Sequence, residues 1–346
     1  MNIHEKYIKR CIELAQNGLG STYPNPMVGS VIVHEGKIIG EGWHRKAGEA
    51  HAEVNAINSV QDEKLLKHAT IYVSLEPCSH FGKTPPCSDL IVAKGIRRVV
   101  IGTMDPFAKV AGRGIKKLMD AGCEVKVGIL EEDCLELNKR FFTFHKKKRP
   151  YIILKWAQTG DGFIAPETRT EKRPVWITNK YSGQMVHKWR SEEAAILVGT
   201  NTVLEDNPSL NVRKWTGENP VRIVIDKELK ISKDFSVLDG KQKTIVLCGK
   251  DQTSDNRNLV YQKIDFSENI AEAVCGILYQ NELQSVIIEG GRNTLQQFID
   301  SNIWDEARVF TGSTYFERGI KAPEFFKKPD QEKTIERDQL KIYRND

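Results

Sequence analysis

Short β-branched stretches alternate with helix-like stretches along this chain of 346 residues, in two series that one charged run separates. In the first series the strand-like segments "ATIYVSLEPC" (69–78) and "IRRVVIGTMD" (96–105) flank a helix-like segment. The charged run, "HKKKRP" (145–150), ends in proline and is typical of an exposed linker. Because alternating strands and helices form α/β domains, and because the chain is too long for one ordinary core, we predict two α/β domains, at 1–147 and 148–346.

Composition argues against a membrane-spanning or secreted protein. Hydrophobic residues make up 40% of the chain and charged residues 28%, and no apolar run approaches the ~18 residues that a membrane span needs. The opening "MNIHEKYIKRCIELAQ" (1–16) predicts a charged amphipathic helix and not a signal peptide. Seven cysteines at uneven spacing argue against a disulfide framework. We therefore expect a cytoplasmic protein in which some cysteines are working thiolates.

The charge distribution gives little support to a nucleic-acid or membrane partner. The formal net charge of +5 is spread along the chain, and only residues 145–150 form a basic cluster. We expect small-molecule substrates as partners, with no nucleic acid and no membrane. We also expect a homo-oligomer, with a dimer and a tetramer both left open.

One histidine and two cysteines form a candidate metal site. "HAEVNAINSV" (51–60) predicts a helix that begins at a histidine, and such a histidine alone is typical of a capping or packing residue. The segment "LEPCSHFGKTPPCSDL" (75–90) changes that interpretation, because its two cysteines bracket a loop and because one imidazole with two thiolates suits zinc. The candidate ligands are His51, Cys78 and Cys87.

Three protein ligands leave the fourth tetrahedral position of zinc to a water, as in catalytic zinc sites. Bound zinc lowers the pKa of that water towards neutrality. Glu53 lies two residues beyond His51 and can lean towards the open position from the first helical turn, so we predict that it is the general acid/base. Two alternatives stay open: His80 as a rival ligand, and a structural zinc beside which Glu53 has no role.

These motifs resemble the signature of zinc-dependent base deaminases, which is His-x-Glu followed by Pro-Cys-x-x-Cys. The chain matches it at "HAE" (51–53) and "PC" (77–78), but eight residues instead of two separate the two cysteines. The longer stretch "EPCSHFGKTPPC" (76–87), with "PNPMVG" (24–29) and "GWH" (42–44), is similar to the deaminase domain of the RibD family of bacterial riboflavin-biosynthesis proteins.

That resemblance implies a cytidine-deaminase-like α/β/α fold for the N-terminal domain. It also implies that Asn25, His44, His80 and Lys83 line the pocket for a pyrimidine and its ribose phosphate. An amide suits the pyrimidine edge, and histidine and lysine suit an anionic phosphate. The chain departs from the family at Phe107, where the family often has an asparagine.

The second series carries a phosphate-binding signal of its own. "SVIIEGGRNTLQQF" (285–298) reads as a buried strand that runs through two glycines into a helix, whose first N–H groups can hold a phosphate. Residues 149–165, 175–179 and 186–213 resemble the reductase domain of the same family. This resemblance implies a dihydrofolate-reductase-like α/β fold for the C-terminal domain.

The resemblance further implies three sets of site residues in the second domain. The residues expected to bind the nicotinamide cofactor are Gln158, Trp176, Thr178, Thr202, Asp206, Gly291, Arg292, Asn293, Thr294, Leu295, Gln296 and Gln297. The residues expected to bind the substrate are Arg190, Leu210, Arg213 and Glu289, because two guanidinium forks can clamp a phosphate. Lys155 and Asp206 are the ionisable candidates for catalysis beside the hydride acceptor.

As a whole the resemblance implies a bifunctional enzyme with Zn2+ and NADPH as cofactors. The first reaction is deamination of 2,5-diamino-6-(5-phosphoribosylamino)pyrimidin-4(3H)-one. The second is NADPH-dependent reduction of the ribosyl group of 5-amino-6-(5-phosphoribosylamino)uracil to a ribityl chain. Two other functions stay open: a tRNA-type nucleic-acid deaminase with an accessory domain, and a zinc-stabilised binding module without enzymatic activity.

Overall fold

The computed structural model describes residues 2–79, 81, 85–106, 111–168 and 174–345. The chain forms two compact units, Met1–Lys148 and Arg149–Asp346, so the division falls one residue after the position expected from the sequence. Within the described ranges, no helix combines the length and the apolar character that crossing a bilayer requires.

The first unit alternates strands and helices. Its strands are β1 (Gly29–His34), β2 (Lys37–Trp43), β3 (Thr70–Leu75), β4 (Arg98–Thr103) and β5 (Glu124–Val127). Its α-helices are α1 (Ile3–Ala15), α2 (Ala52–Asn58), α3 (Cys87–Ala93), α4 (Arg113–Asp120), α5 (Glu131–Leu137) and α6 (Lys139–Lys147), and short 3-10 helices span Gln16–Gly18 and Glu63–His68.

Helix α1 begins at a capping box. The side chain of Asn2 accepts a hydrogen bond from the backbone N–H of Glu5 at 2.9 Å, and the Glu5 carboxylate accepts one from the N–H of Asn2 at 2.8 Å. The helix buries one apolar face, which includes Tyr7, Cys11 and Leu14. The amphipathic helix predicted for this segment is therefore confirmed.

The sheet of the first unit has the strand order β2-β1-β3-β4-β5. β1 pairs antiparallel with β2, and β3, β4 and β5 are parallel. Ile57 of α2 and Ile91 of α3 lie in the hydrophobic cluster on one face, whereas Ile8 of α1 and Cys134 of α5 lie in the cluster on the other. The α/β/α arrangement is thus the expected one.

The second unit is built around a larger sheet. Its strands are β6 (Tyr151–Gln158), β7 (Phe163–Pro166), β8 (Ala195–Gly199), β9 (Val221–Ile225), β10 (Thr244–Cys248), β11 (Leu259–Lys263), β12 (Ser285–Gly290), β13 (Glu306–Thr311), β14 (Gly319–Lys321), β15 (Gln331–Ile335) and β16 (Asp338–Arg344). Its α-helices are α7 (Lys180–Glu192), α8 (Thr200–Asp206), α9 (Ile270–Gln280) and α10 (Arg292–Asp300), and a 3-10 helix spans Ser236–Leu238.

The main sheet has the order β11-β10-β9-β8-β12-β6-β13-β16-β15, and β7 pairs separately with β14. The strands from β11 to β13 are parallel, whereas β16 and β15 extend the sheet antiparallel. Helices α9 and α10 contribute to one hydrophobic cluster and α7 and α8 to the other. Because neighbouring parallel strands end at the same edge, the carboxyl ends of β8, β12 and β6 converge there.

Candidate active sites

Three side chains of the first unit converge on one point. His51 is the N-cap of α2, Cys87 is the first residue of α3, and Cys78 lies in the segment that follows β3. The Nδ1 atom of His51 lies 3.6 Å from Sγ of Cys78 and 3.3 Å from Sγ of Cys87, and the three donor atoms lie within 4.8 Å of one another. One imidazole and two thiols at this spacing fit a zinc ion.

Backbone contacts hold the two cysteines in this arrangement. The N–H of Cys87 donates to Sγ of Cys78 at 3.2 Å, and the hydroxyl of Ser88 donates to the carbonyl of Cys78 at 3.0 Å. The start of α3 therefore orients the side chain of Cys78 as well as that of Cys87, as the outer contacts of a metal site should.

The two thiols of the cluster differ in protonation: the hydrogen bond with Cys78 and burial raise the pKa of the Cys87 thiol, so a bound metal must displace its proton. Hydrogen bonds from Cys87 and His51 lower the pKa of the Cys78 thiol, so that a thiolate is available at neutral pH. The hydrogen bond between His51 and Cys78 raises the pKa of His51, and a bound metal must displace that proton.

Glu53 lies in the first turn of α2 and is 3% exposed. Burial raises the pKa of its carboxyl from 4.5 to about 7, and the negative charge of Cys78 adds to the effect. A carboxyl with this pKa can both accept and release a proton near neutral pH, as a general acid/base must.

Two residues predicted to bind substrate, His44 and Asn25, contact each other, and His44 packs against the metal cluster. The ring of His44 packs edge-on against that of His51, with 5.6 Å between centroids. Nδ1 of His44 lies 3.1 Å from the carbonyl of Ala50, and its Nε2 lies 3.1 Å from the amide nitrogen of Asn25. Because a carbonyl only accepts, we assign the proton to Nδ1, and Nε2 then accepts from Asn25. Burial lowers the pKa of His44 and so favours the neutral ring.

Three positions that the sequence analysis names lie outside the described residues. They are the predicted pocket residues His80 and Lys83 and the departure from the family at Phe107.

In the second unit, three charged residues form a buried cluster. Arg190 of α7 donates to both carboxylate oxygens of Glu289 on β12, through Nε at 2.9 Å and Nη2 at 2.8 Å. Nζ of Lys155 on β6 lies 3.6 Å from the same carboxylate. Burial alone would raise the pKa of Glu289, but Arg190 and Lys155 outweigh it and hold that pKa at about 2. Burial also lowers the pKa of Lys155, against the attraction of Glu289.

The residues predicted to bind substrate with Glu289 differ in their surroundings. The guanidinium of Arg190 is already engaged by Glu289, whereas Arg213 is exposed and its Nη1 donates to the side chain of Asn211 at 3.0 Å. Leu210 is 2% exposed and therefore offers little side-chain surface to a ligand.

The sequence analysis did not single out His187. It is 3% exposed on α7, and its Nδ1 accepts the backbone N–H of Arg213 at 3.4 Å. Burial lowers its pKa to about 4, and the charges of Arg190 and Arg213 act in the same direction. The available signal was its position three residues before Arg190, which places both on one helical face.

The glycines after β12 create a narrow space at the carboxyl edge of the sheet. Gly290 and Gly291 are joined by a cis peptide bond, and a Cβ placed on Gly291 would lie 3.1 Å from the hydroxyl of Thr202. A Cβ on Gly199, at the end of β8, would lie 2.6 Å from the hydroxyl of Thr294. The edge thus brings together Thr202, Gly291 and Thr294, all three predicted to bind cofactor.

Helix α10 begins directly after these glycines. No side chain of the described residues caps its N-terminus at Gly291, so its first N–H groups suit the phosphates of a dinucleotide.

Other residues of the predicted segment make contacts within the protein. The side chain of Leu295 is fully buried in the core. Arg292 contacts Glu324 at 3.4 Å, and the side chain of Gln296 accepts the N–H of the same residue at 2.7 Å. Asn293 and Gln297 are exposed.

The remaining predicted cofactor residues occupy loops and strand ends around this edge. Gln158 ends β6, and its carbonyl accepts the N–H of Gly312, where a Cβ would lie 2.1 Å from the carbonyl of Ile177. The segment that contains Trp176 and Thr178 is thereby held beside Gln158. Trp176 is 61% exposed.

Asp206, a predicted catalytic and cofactor residue, is the last residue of α8 and is half-buried. It lies one turn beyond Thr202 on the same helix.

Comparison with known proteins decides the family. The family model of the RibD C-terminal domain matches residues 150–341, and that of the cytidine and deoxycytidylate deaminase zinc-binding region matches residues 1–103. Riboflavin biosynthesis protein RibD of Aquifex aeolicus is 41% identical over 326 residues, which cover 92% of this chain and 89% of that protein. The chain belongs to the RibD family. RibD of Bacillus amyloliquefaciens is 40% identical, with 89% of this chain and 84% of that protein covered.

Solved structures of RibD proteins agree over the whole chain. The diaminohydroxyphosphoribosylaminopyrimidine deaminase/5-amino-6-(5-phosphoribosylamino)uracil reductase of Thermotoga maritima superposes with a TM-score of 0.89 at 37% identity and covers 99% of both chains. RibD of Acinetobacter baumannii gives 0.88 at 30% identity, with 98% of both chains covered.

These matches confirm the predicted family and fold class. They confirm a bifunctional deaminase and reductase of riboflavin biosynthesis, with Zn2+ and NADPH as cofactors, and they do not favour the nucleic-acid deaminase.

Proposed function

We propose that this RibD protein carries out two consecutive reactions on one metabolite. It deaminates 2,5-diamino-6-(5-phosphoribosylamino)pyrimidin-4(3H)-one to a uracil and then reduces the ribosyl group of that uracil to a ribityl chain. The observation that carries the proposal is the His51, Cys78 and Cys87 cluster, with the buried Glu53 beside it.

In the deaminase site, His51, Cys78 and Cys87 would hold the zinc. When bound, zinc supplies a Lewis acid that activates water for attack on the amino-bearing carbon. Glu53 carries one proton from the attacking water to the ring nitrogen. It then carries a second proton, from the new hydroxyl on the former amino-bearing carbon, to the amino group, which leaves as ammonia as the carbonyl forms. A pKa of about 7 supports this role. Asn25 is the residue that we assign to the pyrimidine edge, with His44 holding its side chain.

His80 and Lys83 are assigned to the ribose phosphate on sequence resemblance alone. From that resemblance we assign no ligand role to Phe107.

In the reductase site, the start of α10 and the side chains of Thr202 and Thr294 would hold NADPH. When bound, NADPH supplies the hydride that reduces C1′ of the open-chain sugar. Glu289 fixes Lys155 beside the carboxyl edge of the sheet, and we assign proton delivery to Lys155 with Asp206.

Arg213 is the residue that we assign to the substrate phosphate, because it is exposed and its guanidinium is not committed to Glu289. Arg190 then supports the site through its ion pair with Glu289, and the side chain of Leu210 packs in the hydrophobic core.

We also propose how the two reactions are divided along the chain. We assign deamination to residues 1–147 and reduction to residues 148–346, in a homo-oligomer that acts on small molecules and on no nucleic acid or membrane. All seven cysteines are free thiols, which suits the reducing cytoplasm.

The test uses two full-length variants and two assays, ammonia release from the diaminopyrimidinone and NADPH oxidation with its deaminated product. Cys87→Ser should lose zinc and deamination yet keep NADPH oxidation, whereas Asp206→Asn should do the reverse. Loss of both activities in either variant, while the chain remains folded by circular dichroism, would contradict the assignment of one reaction to each unit.

A further inference from the structure

We propose that Glu76 is a positioning residue for the zinc site, acting on the ligand Cys78 through the peptide that precedes it. The inference rests on the proposed function, because it concerns the site assigned there to zinc. Glu76 lies two residues before Cys78, directly after β3, and is 4% exposed.

The carboxylate of Glu76 accepts four backbone N–H groups. Oε2 accepts the N–H of Asp105 at 3.3 Å and that of Gly112 at 2.9 Å. Oε1 accepts the N–H of Gly114 at 2.9 Å and that of Ile115 at 3.3 Å. One buried side chain thus ties the residues that follow β4 to the start of α4.

The same contacts reach the backbone next to Cys78. The N–H of Glu76 donates to the carbonyl of Thr103, at the end of β4, at 3.0 Å. Gly114 lies so close to the carbonyl of Pro77 that an added Cβ would stand 2.0 Å from it. The start of α4 therefore presses on the peptide that precedes Cys78, and Glu76 holds α4 in that place.

The chemistry of this contact requires a carboxylate. Two oxygens that only accept can satisfy four N–H donors, and negative charge is favourable at the N-terminus of α4. A glutamine of the same shape replaces one oxygen with an NH2 group, which would face two backbone donors and leave them unsatisfied. Glu76→Gln therefore disturbs the contact with little change in volume.

The experiment compares full-length wild-type protein with Glu76→Gln. Zinc affinity is measured by competition with a chelating dye, and ligand geometry is followed by the visible absorption of Co2+ in the same site. We expect zinc affinity to fall roughly 10- to 100-fold, the usual cost of losing an outer contact of a metal site, and the Co2+ spectrum to change.

Two controls separate positioning from general destabilisation. In Glu76→Gln, NADPH oxidation with the deaminated product should keep its wild-type rate. Tyr7→Phe removes a partly buried hydrogen bond of the first unit, from the Tyr7 hydroxyl to the carbonyl of Gly36 at 2.7 Å, and should leave zinc affinity and the Co2+ spectrum unchanged.

A second measurement on the wild-type chain needs no variant that must fold. Because linkage is reciprocal, zinc removal should speed hydrogen exchange at the N–H groups of Gly112, Gly114 and Ile115 more than at Ile71 of β3.

Wild-type zinc affinity and an unchanged Co2+ spectrum in Glu76→Gln would overturn the inference, as would equal exchange at these N–H groups with and without zinc. A wild-type chain that binds no zinc at all would instead contradict the proposed function.

Discussion

Both units of this protein place a buried carboxylate at the candidate site, Glu53 in the first and Glu289 in the second, and these two carboxylates behave in opposite ways. Glu53 is 3% exposed, and burial together with the charge of Cys78 raises its pKa to about 7. The side chain of Glu289 is 7% exposed, yet Arg190 and Lys155 overcome the effect of burial and hold its pKa at about 2.

Burial raises the pKa of both carboxyls, so the difference between them comes from their charged neighbours. Glu53 has a thiol and an imidazole as neighbours and can change its protonation near neutral pH. Glu289 has two cations as neighbours and stays anionic, so it can hold Arg190 and Lys155 in place but cannot carry a proton.

The largest effect is expected from Glu53→Gln in the deaminase site. The amide keeps the shape of the side chain but cannot carry the proton, so deamination should fall by a factor on the order of 10² to 10⁴. Ammonia release measures the rate, and metal analysis should still find one zinc per chain. A loss of zinc in this variant would make Glu53 a ligand and remove the contrast between the two carboxylates.

The same substitution at Glu289 should act on stability. Glu289→Gln leaves Arg190 and Lys155 buried without their counter-charge, which costs about 3–5 kcal/mol in the free energy of unfolding of the second unit. Urea unfolding followed by tryptophan fluorescence measures this, since five of the six tryptophans lie after residue 149. The exposed Glu268→Gln is the matched control and should change stability by less than about 0.5 kcal/mol. Equal changes in the free energy of unfolding in Glu289→Gln and Glu268→Gln would show that the ion cluster does not stabilise the second unit.

A smaller effect is expected in the pH dependence of stability, compared between wild type and Glu289→Gln. The folded-state pKa of Glu289 is lowered, so its contribution to stability is complete above about pH 4.5 and is lost as pH falls towards about 2. The stability gap between wild type and Glu289→Gln should therefore narrow by on the order of 2–3 kcal/mol over that range. A gap that stays constant in acid would mean that Glu289 is not held ionised by its neighbours.

The zinc site could be predicted from the sequence because its chemistry resides in residue types. Histidine and cysteine can bind a metal wherever the fold brings them together, and the structure places the donor atoms of His51, Cys78 and Cys87 within 4.8 Å of one another. What the sequence could not give is the pKa of Glu53, which depends on how completely α2 is buried.

The reductase site was less predictable because its charges pair across the fold. Arg190 and Glu289 were both expected to bind substrate, but they bind each other across 99 positions of sequence. That pairing depends on where α7 crosses the end of β12, which no local motif encodes.

The edge strand β15 of the second sheet could not be predicted from the sequence pattern, for a different reason. β15 is almost entirely exposed and polar, so it lacks the alternation that marks a strand.

The most direct test of the whole account is the effect of zinc removal on one sample of the full-length protein. NADPH oxidation is followed with the diaminopyrimidinone and, separately, with its deaminated product, before and after chelation. We predict that the chelated protein keeps its rate of NADPH oxidation with the deaminated product and loses it with the diaminopyrimidinone, and that added zinc restores the rate with the diaminopyrimidinone. Loss of both rates on chelation, or survival of both, would contradict the assignment of a zinc-dependent deamination and a zinc-independent reduction to separate sites.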